Sequence, residues 1–543
     1  MRRAHVLVLA FATTLAGVGG ASAQLPPASI TQPVQLTKAD TAPTRTYGTP
    51  MIAVDPEDPN HIVAAGAEFR TRRCGLTRSV DGGQTWTQLE ASPLPKEYPF
   101  CFITETGVPQ AMVAFGRNHT LYYVSPGWDT ADSQTTDWPF PQGGGWRGNV
   151  TVVLSKSADL GDSWVSTIVR DPRGRKGADL ENNRPVTGLA IDTHSGPDDI
   201  VYVGYAQVYQ DRKTAVVSVS TDGGKTFATP VNVASNYLDN EAVRLDLGKA
   251  AGRPTAPTLN ALDITWPVLT VDAKGTLYAV WHARGRPGPP VDDSATYLSR
   301  STDKGKTFTV TQIGPPTNTF INAAIAWSPE GGPGGTLHLV YHSTTTRKVD
   351  YEYDVFYRRS TDGGTTWSDE KTLNDDDSKN LIVQVHANLS VAPNGRVDVA
   401  WWDFRNDTGN FANDIYLTSS SDNGSSWSKN VRVTDRSVNR RIGPWFGNAD
   451  IRQPPGLVSR DEFTLVVWDD TRNGNDVTQT QDLYSSIVQY QALSSGATPS
   501  AKYTLAAVIG FILVSLGFVI HAARRSAAQR PQSSPREPAG SQG

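Results

Sequence analysis

Short runs of alternating apolar and polar residues dominate the chain, and this pattern predicts β-strands. The run Gly275–Trp281 shows it well, because its alternation fits a strand with two unlike faces. Seven units follow the same order: an extended apolar segment, a second strand and a third strand. The second strands are predicted at His61–Ala65, Thr120–Val124, Ile200–Tyr205, Thr276–Trp281, Thr336–Tyr341, Arg396–Trp401 and Glu462–Trp468.

A short motif follows the third strand in the first six units and reads Ser-x-Asp-x-Gly-x-Thr/Ser-aromatic. Its first residues are separated by 78, 63, 81, 59 and 60 positions. The Asp can accept hydrogen bonds from the N–H groups just after it, and the Gly can adopt the positive φ of a tight turn. The aromatic residue then returns a large apolar ring to the sheet. We therefore predict structural hairpin turns built on Asp81, Asp159, Asp222, Asp303, Asp362 and Asp422.

Six such motifs resemble the Asp boxes, or bacterial neuraminidase repeats, of sialidases and other Asp-box β-propellers. The resemblance covers about Ile30 to Tyr490 and implies an all-β propeller. The seventh unit, Gly443–Tyr490, has no box and stops after its third strand. Pro33–Thr37 resembles Asn430–Thr434, the fourth strand of unit six, so the missing strand is expected at the N-terminus. We predict a seven-bladed propeller closed by that strand; six blades, as in sialidases, is the alternative.

Composition agrees with many short strands joined by tight turns. The 543 residues include 48 glycines, 36 prolines and 14 tryptophans, and glycine and proline mark turns. The formal net charge is −4, which gives no reason to expect a nucleic-acid partner.

The N-terminus predicts export. Residues 1–23 combine two early arginines, an apolar run over Val6–Val18 and the small-x-small sequence Ala21-Ser22-Ala23, as in a signal peptide. Export places Cys74 and Cys101 in an oxidising compartment, where a structural disulfide is expected.

The C-terminus predicts a membrane anchor. An uncharged apolar run of the ~20 residues that a spanning helix needs is followed by arginines, which favour the cytoplasmic side. The propeller would then lie outside the cell. The predicted organisation is a signal peptide at 1–23, a propeller at 24–490, a linker at 491–502, a transmembrane helix at 503–523 and a cytoplasmic tail at 524–543.

Candidate site residues lie on the face opposite the Asp boxes, where the loops between strands two and three meet the connections between blades. Arginines there could clamp a carboxylate. The resemblance implies three arginines, a Tyr nucleophile with Glu, and an Asp acid/base; the family's Phe/Tyr-Arg-Ile-Pro signature is absent, and the nearest sequence is Asn183-Arg184-Pro185-Val186. The catalytic candidates are Glu181, Arg184, Asp403, Arg405, Asp470 and Arg472.

Two interpretations of these charged residues stay open. Asp403–Arg405 and Asp469–Arg472 could be local ion pairs that order their loops instead of binding substrate. The run Asp375-Asp376-Asp377 could bind calcium through its oxygens or form a solvated acidic loop; no other cofactor and no metal ligand set are predicted.

Three functions follow as hypotheses. The first is a surface-tethered, sialidase-like glycoside hydrolase acting on extracellular glycans. The second is a non-catalytic propeller that binds glycan or protein, in which Arg405 and Arg472 are consumed by neighbouring carboxylates. The third is an assembly scaffold at the membrane.

Overall fold

The computed structural model describes residues 27–101, 111–128, 151–171, 181–209, 212–234, 262–264, 267–285, 295–313, 323–344, 353–377, 381–443 and 454–490. Regular secondary structure within these ranges consists of β-strands. None of the described residues forms a helix with the length and hydropathy needed to cross a bilayer. The predicted signal peptide, linker, transmembrane helix and tail lie outside the described residues.

The described strands form seven antiparallel sheets, or blades, in chain order. Blade 1 contains Tyr47–Val54, Ile62–Glu68, Arg73–Ser79 and Thr87–Gln88; blade 2 contains Met112–Phe115, Leu121–Gly127, Thr151–Ser157 and Val165–Arg170; blade 3 contains Glu181–Asp192, Ile200–Tyr209, Arg212–Ser220 and Val231–Asn232. Blade 4 contains Leu262–Ile264, Val268–Val271, Leu277–Gly285, Ala295–Ser301 and Thr309–Gln312; blade 5 contains Ala324–Ser328, Thr336–Thr344, Tyr353–Ser360 and Lys371–Thr372. Blade 6 contains Gln384–Val391, Val397–Asp403, Ala412–Ser420, Val431–Arg432 and Val438–Asn439; blade 7 contains Gly456–Ser459, Phe463–Asp470, Asp482–Tyr490, Pro27–Ile30 and Val34–Gln35.

The seven blades form a closed ring. The first strand of each blade contacts the first strand of the next, and that of blade 7 contacts that of blade 1. The first strands therefore surround the axis. The prediction of an all-β, seven-bladed propeller is confirmed.

The N-terminal segment closes the ring as predicted. Val34 pairs with Ser485 and Gln35 with Tyr484 on the third strand of blade 7. Thr37 then donates its hydroxyl to Asp482 at 2.8 Å. The fourth strand of blade 6 shows the same contact, since the Thr434 hydroxyl lies 2.8 Å from a carboxylate at the start of its own third strand. The N-terminal strand thus fills the position of a normal fourth strand.

The apolar core is divided into layers between neighbouring blades. Between blades 7 and 1, for example, Leu36, Tyr47, Leu465 and Leu483 are buried together. Burial of each leucine in such a layer contributes about 1.5–3 kcal/mol. The layers explain why nearly every position of the second strands is apolar or small: both faces of these strands are covered.

All six predicted Asp-box turns have one geometry. In the box of blade 4, Asp303 Oδ1 accepts from the Ser301 hydroxyl at 2.7 Å, and Oδ2 accepts from the Thr307 hydroxyl at 2.6 Å. The Gly305 N–H donates to Ser301 Oγ at 2.9 Å, and this glycine has a φ of 75°. The carboxylate therefore holds both ends of the turn.

Two faces of the ring can now be defined. The box face carries the Asp boxes and the loops between first and second strands, as shown by the Gly82 N–H bonded to Asn60 O across them. The opposite face carries the loops between second and third strands and the connections between blades. The predicted disulfide lies on that opposite face and joins Cys74 to Cys101 with a Cα–Cα distance of 5.3 Å.

Candidate functional site

The second strand of blade 6 ends in a Trp-x-Asp-x-Arg sequence that forms a closed charge cluster. Asp403 accepts from Trp401 Nε1 at 2.8 Å and from Arg405 Nε and Nη2 at 2.9 and 2.7 Å. The same guanidinium donates to Asp375 at 2.7 Å and lies 4.1 Å from the centre of the Tyr416 ring. Asp403 and Arg405 were predicted as catalytic residues, and in the structure they bind each other.

Blade 7 repeats this cluster. Asp470 accepts from Trp468 Nε1 at 2.9 Å and from Arg472 Nη2 at 2.7 Å. Arg472 also donates to Asp435 at 2.7 Å and covers the Tyr484 ring at 4.2 Å. In both blades an arginine from one blade therefore binds a carboxylate just after the fourth strand of the preceding blade. We call this arrangement the blade clamp.

Blade 1 contains a weaker version that the sequence analysis missed. Glu68 ends the second strand in place of Asp, and Arg70 lies 3.4 Å from it and 3.8 Å from Asp40, which follows the closing strand. A second pair crosses the same interface, since Arg45 donates to both oxygens of Asp482 at 2.7 and 2.8 Å. Aligning the second strands from their first residues would have revealed Glu68 and Arg70.

Electrostatics favour the charged form of the arginine in each cluster, although burial raises the pKa of Asp403. Burial alone would lower the pKa of Arg405, but its hydrogen bonds to Asp403 and Asp375 outweigh burial and raise that pKa above its ordinary value. Asp376 also lies 3.7 Å from this guanidinium and accepts from Gln384 at 2.9 Å. Two of the three aspartates predicted as possible calcium ligands, Asp375 and Asp376, thus face a cation from the chain itself.

A different arginine lies deeper on the same face. Arg440 donates to Asn413 and Asp469, and its guanidinium stacks 3.8 Å from the Trp402 ring. Burial lowers the pKa of Arg440. Its Nη2 and the Asp469 Oδ1 have no hydrogen-bond partner among the described residues. This pair is buried, so it forms part of the interface between blades 6 and 7.

Two histidines meet between blades 5 and 6. The His386 N–H donates to His342 Nδ1 at 3.3 Å, and the two rings lie 5.2 Å apart. Burial lowers the pKa of His342 to about 4. His342 is therefore neutral at pH 7, and its pKa is far from the value near the working pH that suits a general base.

The remaining catalytic candidates lie in blade 3. Glu181 and Arg184 belong to its first strand, Glu181–Asp192, at the end nearest the opposite face; Glu181 pairs in backbone register with Tyr209. Their side chains fall outside the described part of the structure. Their predicted catalytic roles stay predictions.

The fold and its six boxes define the class: an Asp-box β-propeller. Residues 255–443 match the family model described as a BNR repeat-like domain, which confirms the resemblance drawn from the boxes. The match spans 189 of the 543 residues (443 − 255 + 1). It contains the boxes of Asp303, Asp362 and Asp422 and does not assign an activity.

Similar solved structures include an arabinanase, an arabinofuranosidase and a sialidase. An α-L-arabinanase of Penicillium chrysogenum complexed with arabinobiose is 15% identical, with a TM-score of 0.41, and the alignment covers 69% of this chain and 94% of that one. The GH93 α-L-arabinofuranosidase of Fusarium graminearum is 13% identical, with a TM-score of 0.42, and the alignment covers 72% of this chain and 98% of that one. The Hadza microbial sialidase Hz136 is 11% identical, with a TM-score of 0.42, and the alignment covers 80% of this chain and 74% of that one. These values are too low to support a functional conclusion. Comparison with curated proteins gives no significant match.

Proposed function

We propose that the protein is an exported, membrane-tethered Asp-box propeller that binds a glycan or protein ligand on its opposite face without hydrolysing it. One observation carries the proposal: Arg405 and Arg472, offered by the sequence as substrate clamps, are each bound by two or more carboxylates of this chain. The pairing of these two arginines with carboxylates of the same chain distinguishes the binding hypothesis from the hydrolase hypothesis.

Charge explains why such an arginine does not serve an acidic substrate. Arg405 faces Asp375, Asp376 and Asp403 within 4 Å, so the cluster carries a formal charge of −2 (+1 − 3). An incoming carboxylate would be repelled and would have to displace hydrogen bonds that already satisfy the guanidinium. A bidentate site for a carboxylate needs an arginine whose guanidinium N–H groups are not already hydrogen-bonded to other carboxylates.

Exposed apolar side chains give the opposite face a surface for recognition. On blades 6 and 7 and the connection that leads into blade 6, Leu381, Phe411 and Val477 are 55%, 49% and 88% exposed. The Arg441 guanidinium lies 4.1 Å from the Phe411 ring, and the side chain of Asn410 bridges to the backbone of Leu381. Aromatic residues and arginine are both enriched in protein-binding interfaces.

Export and tethering rest on the sequence. The predicted signal peptide and the apolar run at 503–523 support them, as does the disulfide, because such bonds persist in oxidising compartments.

The second candidate is the sialidase-like glycoside hydrolase. It is favoured by the backbone position of Glu181 and Arg184, on the axial strand of blade 3 near the opposite face. A carbohydrate site at the axis would include this strand end.

One experiment separates the two candidates. Purified full-length protein is incubated with a fluorogenic sialoside and with a panel of other glycosides, including α-L-arabinofuranosides, and then applied to a printed glycan array. We expect no turnover. Turnover that disappears in Arg184→Ala, but persists in Arg405→Ala and Arg472→Ala, would refute the binding-only proposal and support the hydrolase.

The binding surface has its own test. Phe411→Ser should weaken binding to any glycan retained on the array, whereas Val80→Ser should not. Val80 is the matched control because it is 59% exposed but lies in the Asp box of blade 1, on the box face. Equal binding by both variants would contradict the assignment of the surface.

A further inference from the structure

Two histidines and one aspartate meet on the box face between blades 1 and 2. Asp55 follows the first strand of blade 1, His61 begins the second strand region of the same blade, and His119 lies in the matching loop of blade 2. Asp55 Oδ2 lies 2.6 Å from His119 Nδ1 and 3.6 Å from His61 Nδ1. One potential ligand atom from each residue lies within 4.8 Å of the other two.

The aspartate is fixed with one oxygen to spare. Asp55 is fully buried, and its Oδ1 accepts the Glu57 N–H at 2.9 Å. The corresponding residue of blade 4, Asp272, uses its second oxygen to accept from the Tyr278 hydroxyl at 3.2 Å. Blade 1 has Val63 at the position of that tyrosine. The second oxygen of Asp55 is therefore left for the two histidines.

The histidines are oriented as metal ligands usually are. His61 Nδ1 is buried and has no hydrogen-bond partner among the described residues. On the far side of each ring, Nε2 faces a carboxylate: Asp58 at 3.5 Å for His61 and Glu57 at 3.7 Å for His119. Histidines that bind a metal commonly donate their other N–H to such a group, which fixes the tautomer.

We propose that Asp55, His61 and His119 bind a divalent transition-metal ion, most suitably Zn²⁺, with water at the fourth position. Two imidazoles and one carboxylate suit zinc, whereas calcium and magnesium prefer oxygen ligands. Tetrahedral bonds of about 2.0–2.1 Å separate ligand atoms by about 3.3 Å. The distances of Asp55 Oδ2 to the two Nδ1 atoms, 2.6 Å for His119 and 3.6 Å for His61, lie on either side of this value, and the His119 side chain is half exposed on a surface loop.

The ion would cross-link blade 1 to blade 2. Asp55 and His61 come from one blade and His119 from the next, so the metal ties the box-face loops of two blades together. The Cys74–Cys101 disulfide ties blade 1 to its exit segment on the opposite face. The metal and the disulfide would then stabilise this region of the ring on both faces. Loss of the metal should lower the free energy of unfolding without changing the ligand surface on blades 6 and 7.

The test measures zinc binding directly. Full-length protein without a histidine tag is stripped with EDTA and dialysed against ZnCl₂ at pH 7.5, and bound zinc is measured by mass spectrometry and calorimetry. We expect one equivalent per chain, and a Co²⁺-loaded sample with visible ligand-field absorption. His119→Gln and His61→Gln should weaken Zn²⁺ binding by more than about 100-fold, and Asp58→Asn by about 10-fold, as for loss of a carboxylate partner.

His194→Gln is the matched control. His194 is an exposed histidine in the corresponding loop of blade 3, 4.0 Å from Asp192, and it should bind zinc like the wild type. Circular dichroism and gel filtration of His119→Gln should match the wild type, because His119 lies on an exposed loop. Absence of stoichiometric zinc, or binding by His119→Gln equal to that of the wild type, would overturn the proposal.

Discussion

Replacing Arg405 by alanine tests whether the blade clamp is structural. The substitution leaves the Asp403 side chain, which is 0% exposed, without its cation. Two donors remain, Trp401 Nε1 at 2.8 Å and the backbone N–H of residue 405 at 2.9 Å. Removing one partner of a buried pair costs about 3–5 kcal/mol. Because two hydrogen bonds persist, we expect the lower end of that range.

Two further contacts add to the cost. The substitution also removes the hydrogen bond from the guanidinium to Asp375 on the preceding blade and its contact with the Tyr416 ring. An exposed cation–π contact contributes about 0.5–1 kcal/mol. The expected total is about 3–4 kcal/mol, which changes the unfolding equilibrium more than 100-fold.

The assay is urea unfolding followed by tryptophan fluorescence at pH 7, with the disulfide intact. Arg436→Ala is the control, since this arginine is 61% exposed and lies 3.7 Å from Asp435; such surface pairs contribute about 0–1 kcal/mol. Arg405→Lys keeps the charge but loses the bidentate contact and should fall between the two. If Arg405→Ala is as stable as the wild type but loses binding or turnover, the arginine serves a ligand and the structural interpretation is wrong.

Three further predictions concern closure, the disulfide and the boxes. Thr37→Val and Thr434→Val should each destabilise by about 1–3 kcal/mol, as for a lost buried hydrogen bond; a much smaller effect of Thr37→Val would contradict closure by the N-terminal strand. Replacing Cys74 and Cys101 together by serine should cost about 3 kcal/mol for a loop of this length; unchanged urea midpoints with and without reductant would contradict this. Hydrogen bonds from the Ser163 and Ser157 hydroxyls lower the pKa of Asp159 to about 2, against about 3.9 when unfolded. The stabilisation from this carboxylate is therefore present above about pH 4 and is lost as the pH falls towards 2, so the stability difference between the wild type and Asp159→Asn should shrink over that interval.

The fold was predictable because each of its determinants is local. An Asp box needs eight consecutive residues, and the second strands begin within one residue of their predicted starts, as in Ile62–Glu68 and Val397–Asp403. The closure of the ring, although it joins distant parts of the chain, was also predictable from a local pattern, because Pro33–Thr37 resembles a fourth strand. The observed strands extend further because buried polar residues such as Asp403 continue the ladder.

The candidate sites were harder to predict because they depend on contacts between blades. Spacing alone could not tell whether Arg405 faces a ligand or Asp375, which is 30 positions away. His119 and Asp55 are 64 positions apart and meet through the register of two neighbouring blades. A lone histidine in a turn carries no sequence pattern that points to such a partner.

The blade clamps lie at interfaces between neighbouring blades. Clamps occur at the interfaces of blades 5 with 6, 6 with 7 and, more weakly, 7 with 1. The last interface also carries Arg45–Asp482. The chain is continuous from the closing strand Val34–Gln35 into blade 1, so the ring is closed without a covalent bond inside blade 7, where this strand pairs with Asp482–Tyr490. The Arg45–Asp482 ion pair joins these two chain-distant segments and therefore opposes opening at that point. The paired charges of the clamps on the opposite face are thus accounted for by contacts between blades.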